Sequence, residues 1–192
     1  AGSASLGGIS NNAGESLYPS IAFDSNNMPY VTWQDDSNGN EEIYVRRWNG
    51  NTWEELGTGS ATNGGISNNL YDSSNPSIAI GPNNIPYITW QAIHEIYILR
   101  WNGGSWEEVG AGSATGGGIS NNDGYSYDPV VAIGSNNIPY VAWRDTLDID
   151  SDIYILRWNG DIWEEVGSGS ASENGISDTA GASEKPSMVI GS

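Results

Sequence analysis

Arg47-Trp48-Asn49-Gly50-Asn51-Thr52-Trp53-Glu54-Glu55-Leu56-Gly57 is the stretch on which the reading turns. It recurs as Arg100–Gly110 and Arg157–Gly167, each time with two Trp, an Asn-Gly step and two adjacent glutamates. Asn-Gly accepts the positive φ of a tight turn, and the flanking Ile, Tyr, Val and Trp suit a pleated surface, so each copy predicts a β-hairpin. Six of the nine Trp lie in these hairpins, which makes them the main packing elements.

Working outward, the whole chain repeats. Pro19, Pro76, Pro129 and Pro186 are equivalent, as are Ile9, Ile66, Ile119 and Ile176. The second unit is shorter between Trp90 and Ile96, which marks a loop there. Each unit predicts four strands. The first is Ser20–Phe23 with its counterparts Ser77–Ile80, Val130–Ile133 and Ser187–Ile190. The second is Pro29–Gln34, Pro86–Gln91 and Pro139–Arg144. The third is Ile43–Trp48, Ile96–Trp101 and Ile153–Trp158. The fourth is Trp53–Leu56, Trp106–Val109 and Trp163–Val166. In the third strand Ile43, Val45 and Arg47 share one face while Tyr44, Arg46 and Trp48 share the other, so both faces call for a covering neighbour. No segment has a helical apolar period.

The expected fold is therefore all-β: an array of four-stranded antiparallel blades of β-propeller type, three complete and the first strand of a fourth. Blades occupy 19–57, 76–110 and 129–167; the inter-blade segments are 1–18, 58–75 and 111–128, and 168–192 ends in the fourth inner strand. The Gly/Ser/Asn-rich segments either wrap from the outer edge to the next inner strand, or add a short strand at Gly-Gly-Ile-Ser. The glutamate pairs suit an outer edge that must not pair with stray strands.

Pro-Ser-Ile-Ala-x-x-x-Asn-Asn-x-Pro-Tyr-Val-x-Trp, followed by Ile-Tyr-x-x-Arg-Trp-Asn-Gly-x-x-Trp, resembles the sialidase-like and Asp-box propellers and the blade arrays of bacterial and archaeal surface proteins. Gly50, Thr52 and Trp53 match the Asp-box pattern, while Trp48 stands at its aspartate position. The resemblance implies propeller architecture. In the sialidase-like members it also implies an arginine triad, a Tyr/Glu nucleophile pair and an acid. Here Arg47, Arg100 and Arg157 are one position repeated, and adjacent Glu residues point to opposite faces. A catalytic centre gathers unlike groups and so must break the repeat. A non-catalytic protein is expected.

With 6 basic against 24 acidic residues the formal charge is −18, which repels nucleic-acid phosphates and anionic lipid. The absence of cysteine excludes a disulfide framework, a thiolate nucleophile and thiolate-held zinc. No run is long enough for a membrane-spanning helix, and composition points to an extracellular or cell-surface location. Asp145, Asp148, Asp150 and Asp152 form an oxygen-rich loop of the kind that holds Ca²⁺, the only cofactor the sequence suggests. His94, the sole histidine, reads as an exposed loop residue. The Trp and Tyr rings, with nearby amides and carboxylates, suit weak multivalent glycan binding, although packing accounts for most Trp. Three blades leave open faces, so copies of the chain are the expected partner. Trp48, Trp101 and Trp158, with Ser187, Met188, Val189 and Ile190, are the expected packing and assembly residues. The expected role is an adhesion or surface scaffold. Its rivals are a structural subunit of a ring or extracellular fibre, and a fragment of a sialidase-like glycoside hydrolase.

Overall fold

A computed structural model describes residues 7–146, 150–172 and 174–191. It contains twelve strands in three four-stranded sheets. Blade 1 comprises β1 (Ser16–Phe23), β2 (Pro29–Asp35), β3 (Glu42–Trp48) and β4 (Trp53–Glu55). Blade 2 comprises β5 (Ser73–Ile80), β6 (Pro86–Ala92), β7 (Glu95–Trp101) and β8 (Trp106–Glu108). Blade 3 comprises β9 (Tyr125–Ile133), β10 (Pro139–Thr146), β11 (Asp152–Trp158) and β12 (Trp163–Glu165). Within each blade neighbours in sequence are antiparallel neighbours in space.

The Trp-Asn-Gly-x-x-Trp hairpin is formed in every blade, with Trp48 opposite Trp53, Trp101 opposite Trp106 and Trp158 opposite Trp163. Asn49 holds the turn by accepting the Asn51 and Thr52 amides on its side-chain oxygen, both at 2.9 Å. The glutamates after Trp53 take separate roles, as expected of alternate strand positions. Glu54 receives Arg47 at 2.7 Å, whereas Glu55 receives the Ala61 amide at 3.0 Å and the Thr62 hydroxyl at 2.8 Å.

Blades stack face to face with their inner strands adjacent. Between blades 1 and 2, Tyr30, Ile43, Val45 and Leu56 meet Ile78, Ile88, Trp90 and Leu99. Between blades 2 and 3, Tyr87, Ile96, Ile98 and Val109 meet Val131, Val141, Trp143 and Leu156. The close approach is built into the sequence at the glycine that ends each hairpin. A Cβ on Gly57 would lie 2.7 Å from the Trp101 ring, and one on Gly110 would lie 2.4 Å from that of Trp158. Trp106 and Trp163 then donate their indole N–H to the Leu56 and Val109 carbonyls of the preceding blade, at 2.9 and 2.7 Å.

The inter-blade segments form no strand at Gly-Gly-Ile-Ser, yet they finish the sheet. Because β4 spans three residues, β3 has unpaired backbone beyond it. The Val45 amide bonds to the Ser60 carbonyl at 2.8 Å, and the Ile66 amide to the Ile43 carbonyl at 2.7 Å. Gly65 allows that approach, since a Cβ there would sit 2.0 Å from the Ile43 oxygen. The same bonds recur in blades 2 and 3 through Ser113 and Ile119, and through Ser170 and Ile176.

Two expectations are corrected. Ser187, Met188, Val189 and Ile190 form no strand, because no second strand follows in these residues to pair with them. Ile190 nevertheless lines one cavity with Phe23, Ile80 and Ile133, its three counterparts in the repeat. Trp158 is not on an open face of blade 3: it packs against blade 2. The uncovered positions of blade 3 are Tyr140, Ile153, Ile155 and Val166, whose counterparts in blades 1 and 2 are buried. At the other end, Leu17, Ile21 and Phe23 of β1 are exposed.

Candidate ligand-binding site

The inner strands begin four to five residues before the expected Ser20, Ser77 and Val130, and each is irregular in pairing at the residue before its proline. That residue has positive φ in every unit: Tyr18 at 48°, Asn75 at 53°, Asp128 at 53° and Lys185 at 53°. Left-handed backbone is uncommon outside Gly, Asn and Asp, and such strain is a marker of functional positions. The bulge brings these residues beside the ends of β2, β6 and β10. Gln34 there accepts the Asn75 amide and Gln91 accepts the Asp128 amide, both at 2.9 Å.

In blade 3 the pattern changes. Arg144 replaces the glutamine and reaches Asp128 at 3.6 Å and Glu184 at 3.5 Å, leaving its Nε buried without a hydrogen bond. Its guanidinium lies 4.7 Å from the centre of the Tyr127 ring, a cation–π distance. Tyr127 and Tyr125, on the same face of β9, are parallel at 6.5 Å. Their counterparts are Leu17 and Glu15 in blade 1, and Ser74 and Asp72 in blade 2. His94 comes from the tip of the β6–β7 hairpin and sets its ring edge-on to Tyr125 at 4.4 Å. That hairpin has shrunk to Ile93 and His94, with φ of 51° and 69°, a left-handed turn made without Asn or Gly. The His94 carbonyl accepts the Ser126 amide at 2.8 Å, fixing the tip against β9.

Unlike groups thus converge at the junction of blades 2 and 3: two tyrosine rings, an imidazole, a guanidinium and two carboxylates. Tyr125 and His94 are exposed, so the rings form an accessible surface. This is the departure from symmetry that a specific site requires. Reading the sequence for motifs misses it, because the signal lies in comparing position 125, 127, 128 and 144 with their counterparts.

The arginines common to all units do not converge. Arg47, Arg100 and Arg157 each pair with a glutamate of their own blade, at 2.7, 2.8 and 2.8 Å. Glu54, Glu107 and Glu164 are held below the ordinary carboxylate range by their asparagine donors first and these arginines second. Trp48, Trp101 and Trp158 are half-buried hairpin residues, while the fully enclosed indoles are Trp33, Trp90 and Trp143, stacked on Tyr44, Tyr97 and Tyr154.

The four aspartates expected to bind calcium have different surroundings. Asp145 is buried at the end of β10, where its Oδ2 accepts Asn122 at 2.8 Å, Ser126 at 2.6 Å and Trp143 at 3.0 Å. Asp152 opens β11 and accepts the Ser177 hydroxyl at 2.6 Å, Asp150 is exposed, and Asp148 lies outside the described residues. Among the described residues no three acidic or histidine side chains group as metal ligands. Asp35 repeats the Asp145 arrangement in blade 1. Burial pushes its carboxyl up, but hydrogen bonds from Ser16, Ser37 and Asn12 outweigh that and hold it below the usual range.

No protein-family description and no curated protein matches the sequence. Solved structures do match. A protein of unknown function from Dyadobacter fermentans superposes with a TM-score of 0.55 at 12% identity, over 81% of this chain and 55% of that one. The GH93 α-L-arabinofuranosidase of Fusarium graminearum, solved with arabinobiose, gives 0.53 at 16% identity, over 78% of this chain and 47% of that one. A family 117 glycoside hydrolase of the marine bacterium Zobellia galactanivorans gives 0.53 at 11%, over 81% and 56%. The fold is of the β-propeller type. At these identities the likeness concerns architecture alone, and the chain spans about half the length of these propeller-type neighbours.

Proposed function

We propose that this β-propeller array is a non-catalytic, extracellular carbohydrate-binding module serving adhesion or surface scaffolding. The observation that supports it is the Tyr125–Tyr127–His94 ring cluster, exposed at Tyr125 and His94 and half-buried at Tyr127, flanked by Arg144, Asp128 and Glu184. Flat rings accept the C–H faces of a pyranose, and the charged groups at their margin pair with hydroxyls. The repeat itself supplies conservative tests. Arg144→Gln and Tyr127→Ser install the residues that blade 2 carries at these positions, so the fold should survive while the platform is dismantled. Saturation-transfer NMR against a panel of neutral and acidic saccharides should detect binding that both variants lose. Equal binding by wild type and both variants, or none by wild type, refutes the platform. Turnover of a nitrophenyl glycoside that disappears in Asp128→Asn would transfer the reading to a glycoside hydrolase.

A second reading, self-association, draws on the open faces. Blade 3 presents Tyr140, Ile153, Ile155 and Val166, the positions that meet a following blade elsewhere in the chain. Blade 1 presents Trp48, Ile21 and Phe23, the positions that meet a preceding one. A second copy placed there repeats a contact the chain already makes twice, with Trp48 over Gly167 as Trp101 lies over Gly57. Light scattering at micromolar concentration tests it, and a stable 20.5 kDa species would refute it.

A further inference from the structure

Blades 1 and 3 each enclose a carboxylate, and blade 2 keeps the enclosure without it. In blade 1, Asp35 Oδ2 receives Asn12 at 2.7 Å, Ser16 at 2.5 Å and Trp33 at 3.3 Å. In blade 3, Asp145 Oδ2 receives Asn122, Ser126 and Trp143 at 2.8, 2.6 and 3.0 Å. The corresponding donors in blade 2 are Asn69, Ser73 and Trp90, and the corresponding acceptor position is Ala92. The register is the same in all three, since Ser16 faces Asp35, Ser73 faces Ala92 and Ser126 faces Asp145.

One of these donors is left without a partner. Asn69 Nδ2 turns to Ser73 Oγ at 3.0 Å, and the Trp90 indole N–H, on a residue only 3% exposed, has no partner. An indole N–H can only donate, so nothing in the protein but an acceptor could satisfy it. A cavity of about 200 Å³ lies against Asn69, Trp90 and Ala92. Tyr71 and Ile93, both exposed, stand at its rim. Tyr71 replaces the glycine of the other units (Gly14 and Gly124), and Ile93 belongs to the shortened hairpin. Cavity, rim and orphaned donor thus meet at the one strand position where blade 2 has Ala92 and the other blades have aspartate.

We infer that this cavity binds a small organic carboxylate, up to the size of a single sugar acid, with its carboxylate on Asn69, Ser73 and Trp90 in the place that Asp35 and Asp145 fill in the other blades. A second acid nearby does not forbid this. Glu42 accepts the Asn69 amide at 2.8 Å and the Ser67 hydroxyl. Glu95 stands in the same relation to Asp145, its carboxyl raised by burial and further by the Asp145 charge. Two carboxyl groups therefore already share this arrangement at blade 3. The inference does not rest on the tyrosine platform.

The indole N–H resonances of ¹⁵N-labelled protein test it, with Trp90 assigned by its loss in Trp90→Phe. Sodium acetate and sodium glucuronate should shift the Trp90 signal saturably, whereas acetamide, glucose and sodium chloride of equal ionic strength should not. Glucuronate binding tighter than acetate assigns the rest of the cavity to the sugar ring; equal affinity confines the site to the carboxylate, and either result upholds it. Ala92→Asp supplies the carboxylate internally, so its Trp90 signal should lie near the ligand-saturated position and ignore added acetate. Affinity measured by calorimetry should fall about tenfold or more in Trp90→Phe, the loss of a hydrogen bond to a charged group. Tyr125→Ala should leave acetate binding unchanged, which separates this site from the platform. A Trp90 signal unmoved by both carboxylates, or moved equally by chloride or acetamide, overturns the inference, and this holds even if Ala92→Asp fails to fold.

Discussion

Gly110→Ala and Gly167→Ala make the same chemical change at equivalent positions of the repeat, and the structure assigns them different costs. Gly110 has a φ of 90°, and its added Cβ would stand 2.4 Å from Cη2 and Cζ3 of Trp158. A left-handed L-residue costs about 1–2 kcal/mol. Forcing a methyl against a packed ring costs about 1–3 kcal/mol. Together they put Gly110→Ala at roughly 2–5 kcal/mol, or about 4–20 °C in Tm for a chain of this size. Gly167 has no atom within 4 Å of its would-be Cβ, because no blade covers it, so its substitution should stay within about 0.5 kcal/mol. Urea unfolding followed by Trp fluorescence measures both under the same conditions. Coincident midpoints for the two variants would refute the claim that these glycines are what lets the blades approach so closely. Gly167→Ala carries a second outcome in light scattering: if copies join through Trp48, it should weaken association while leaving the unfolding midpoint of the dilute protein unchanged.

Trp101→Ala should cost about 2–4 kcal/mol in urea unfolding, below the upper end for a wholly enclosed ring because Trp101 is half-buried; an unmoved midpoint would remove it from the packing. Calcium held by the 145–152 loop would raise Tm above that in sodium chloride of equal ionic strength, an increment that Asp150→Asn abolishes; identical melts in chelator and millimolar calcium dismiss the ion. Asp35, Glu54, Glu55, Glu107 and Glu108 titrate below their ordinary values in the folded chain. Their contribution is present above the unfolded values near about 4 and is lost as pH falls through the lowered folded ones. Burial raises Glu41 and Glu95, so their ionised forms cost stability that is regained as pH falls through their folded values. Tm should therefore rise modestly as pH falls from neutrality through the raised folded values of Glu41 and Glu95, and drop as it falls further through the lowered values of the other acids; a monotonic fall from pH 7 would contradict the assignment.

The three-blade architecture was legible because periodicity survives translation into structure. Ile43 and Val45 face blade 2 while Tyr44 packs on Trp33, as strict alternation requires. The early starts of β1, β5 and β9 were not legible, since Tyr18, Asn75 and Asp128 interrupt the pairing with a backbone conformation that residue type does not announce. Ser187–Ile190 has strand composition, yet a strand exists only by pairing, and composition cannot supply the partner. The platform was hidden for a different reason. His94 looked solitary because its companions Tyr125 and Tyr127 lie a blade away in sequence. Ala92 was the least conspicuous residue of all: an alanine in a strand carries no signal until its counterparts, Asp35 and Asp145, are seen holding three donors each on one carboxylate oxygen.

The sealing of β3 by Ser60 and Ile66, repeated in each blade, has a consequence for growth. With the outer edges blunted, self-association through the faces proposed above would make the molecule a bifunctional monomer with two unlike ends, the Val166 face and the Trp48 face. Such monomers condense in one direction only, and ring closure competes with chain extension. Closure is unimolecular and extension bimolecular, so dilution favours cyclic species and concentration favours long ones. Val166→Glu would act as a chain stopper, still able to cap a growing end through Trp48 but unable to be extended. Substoichiometric addition of that variant should shorten any assemblies in proportion to its mole fraction.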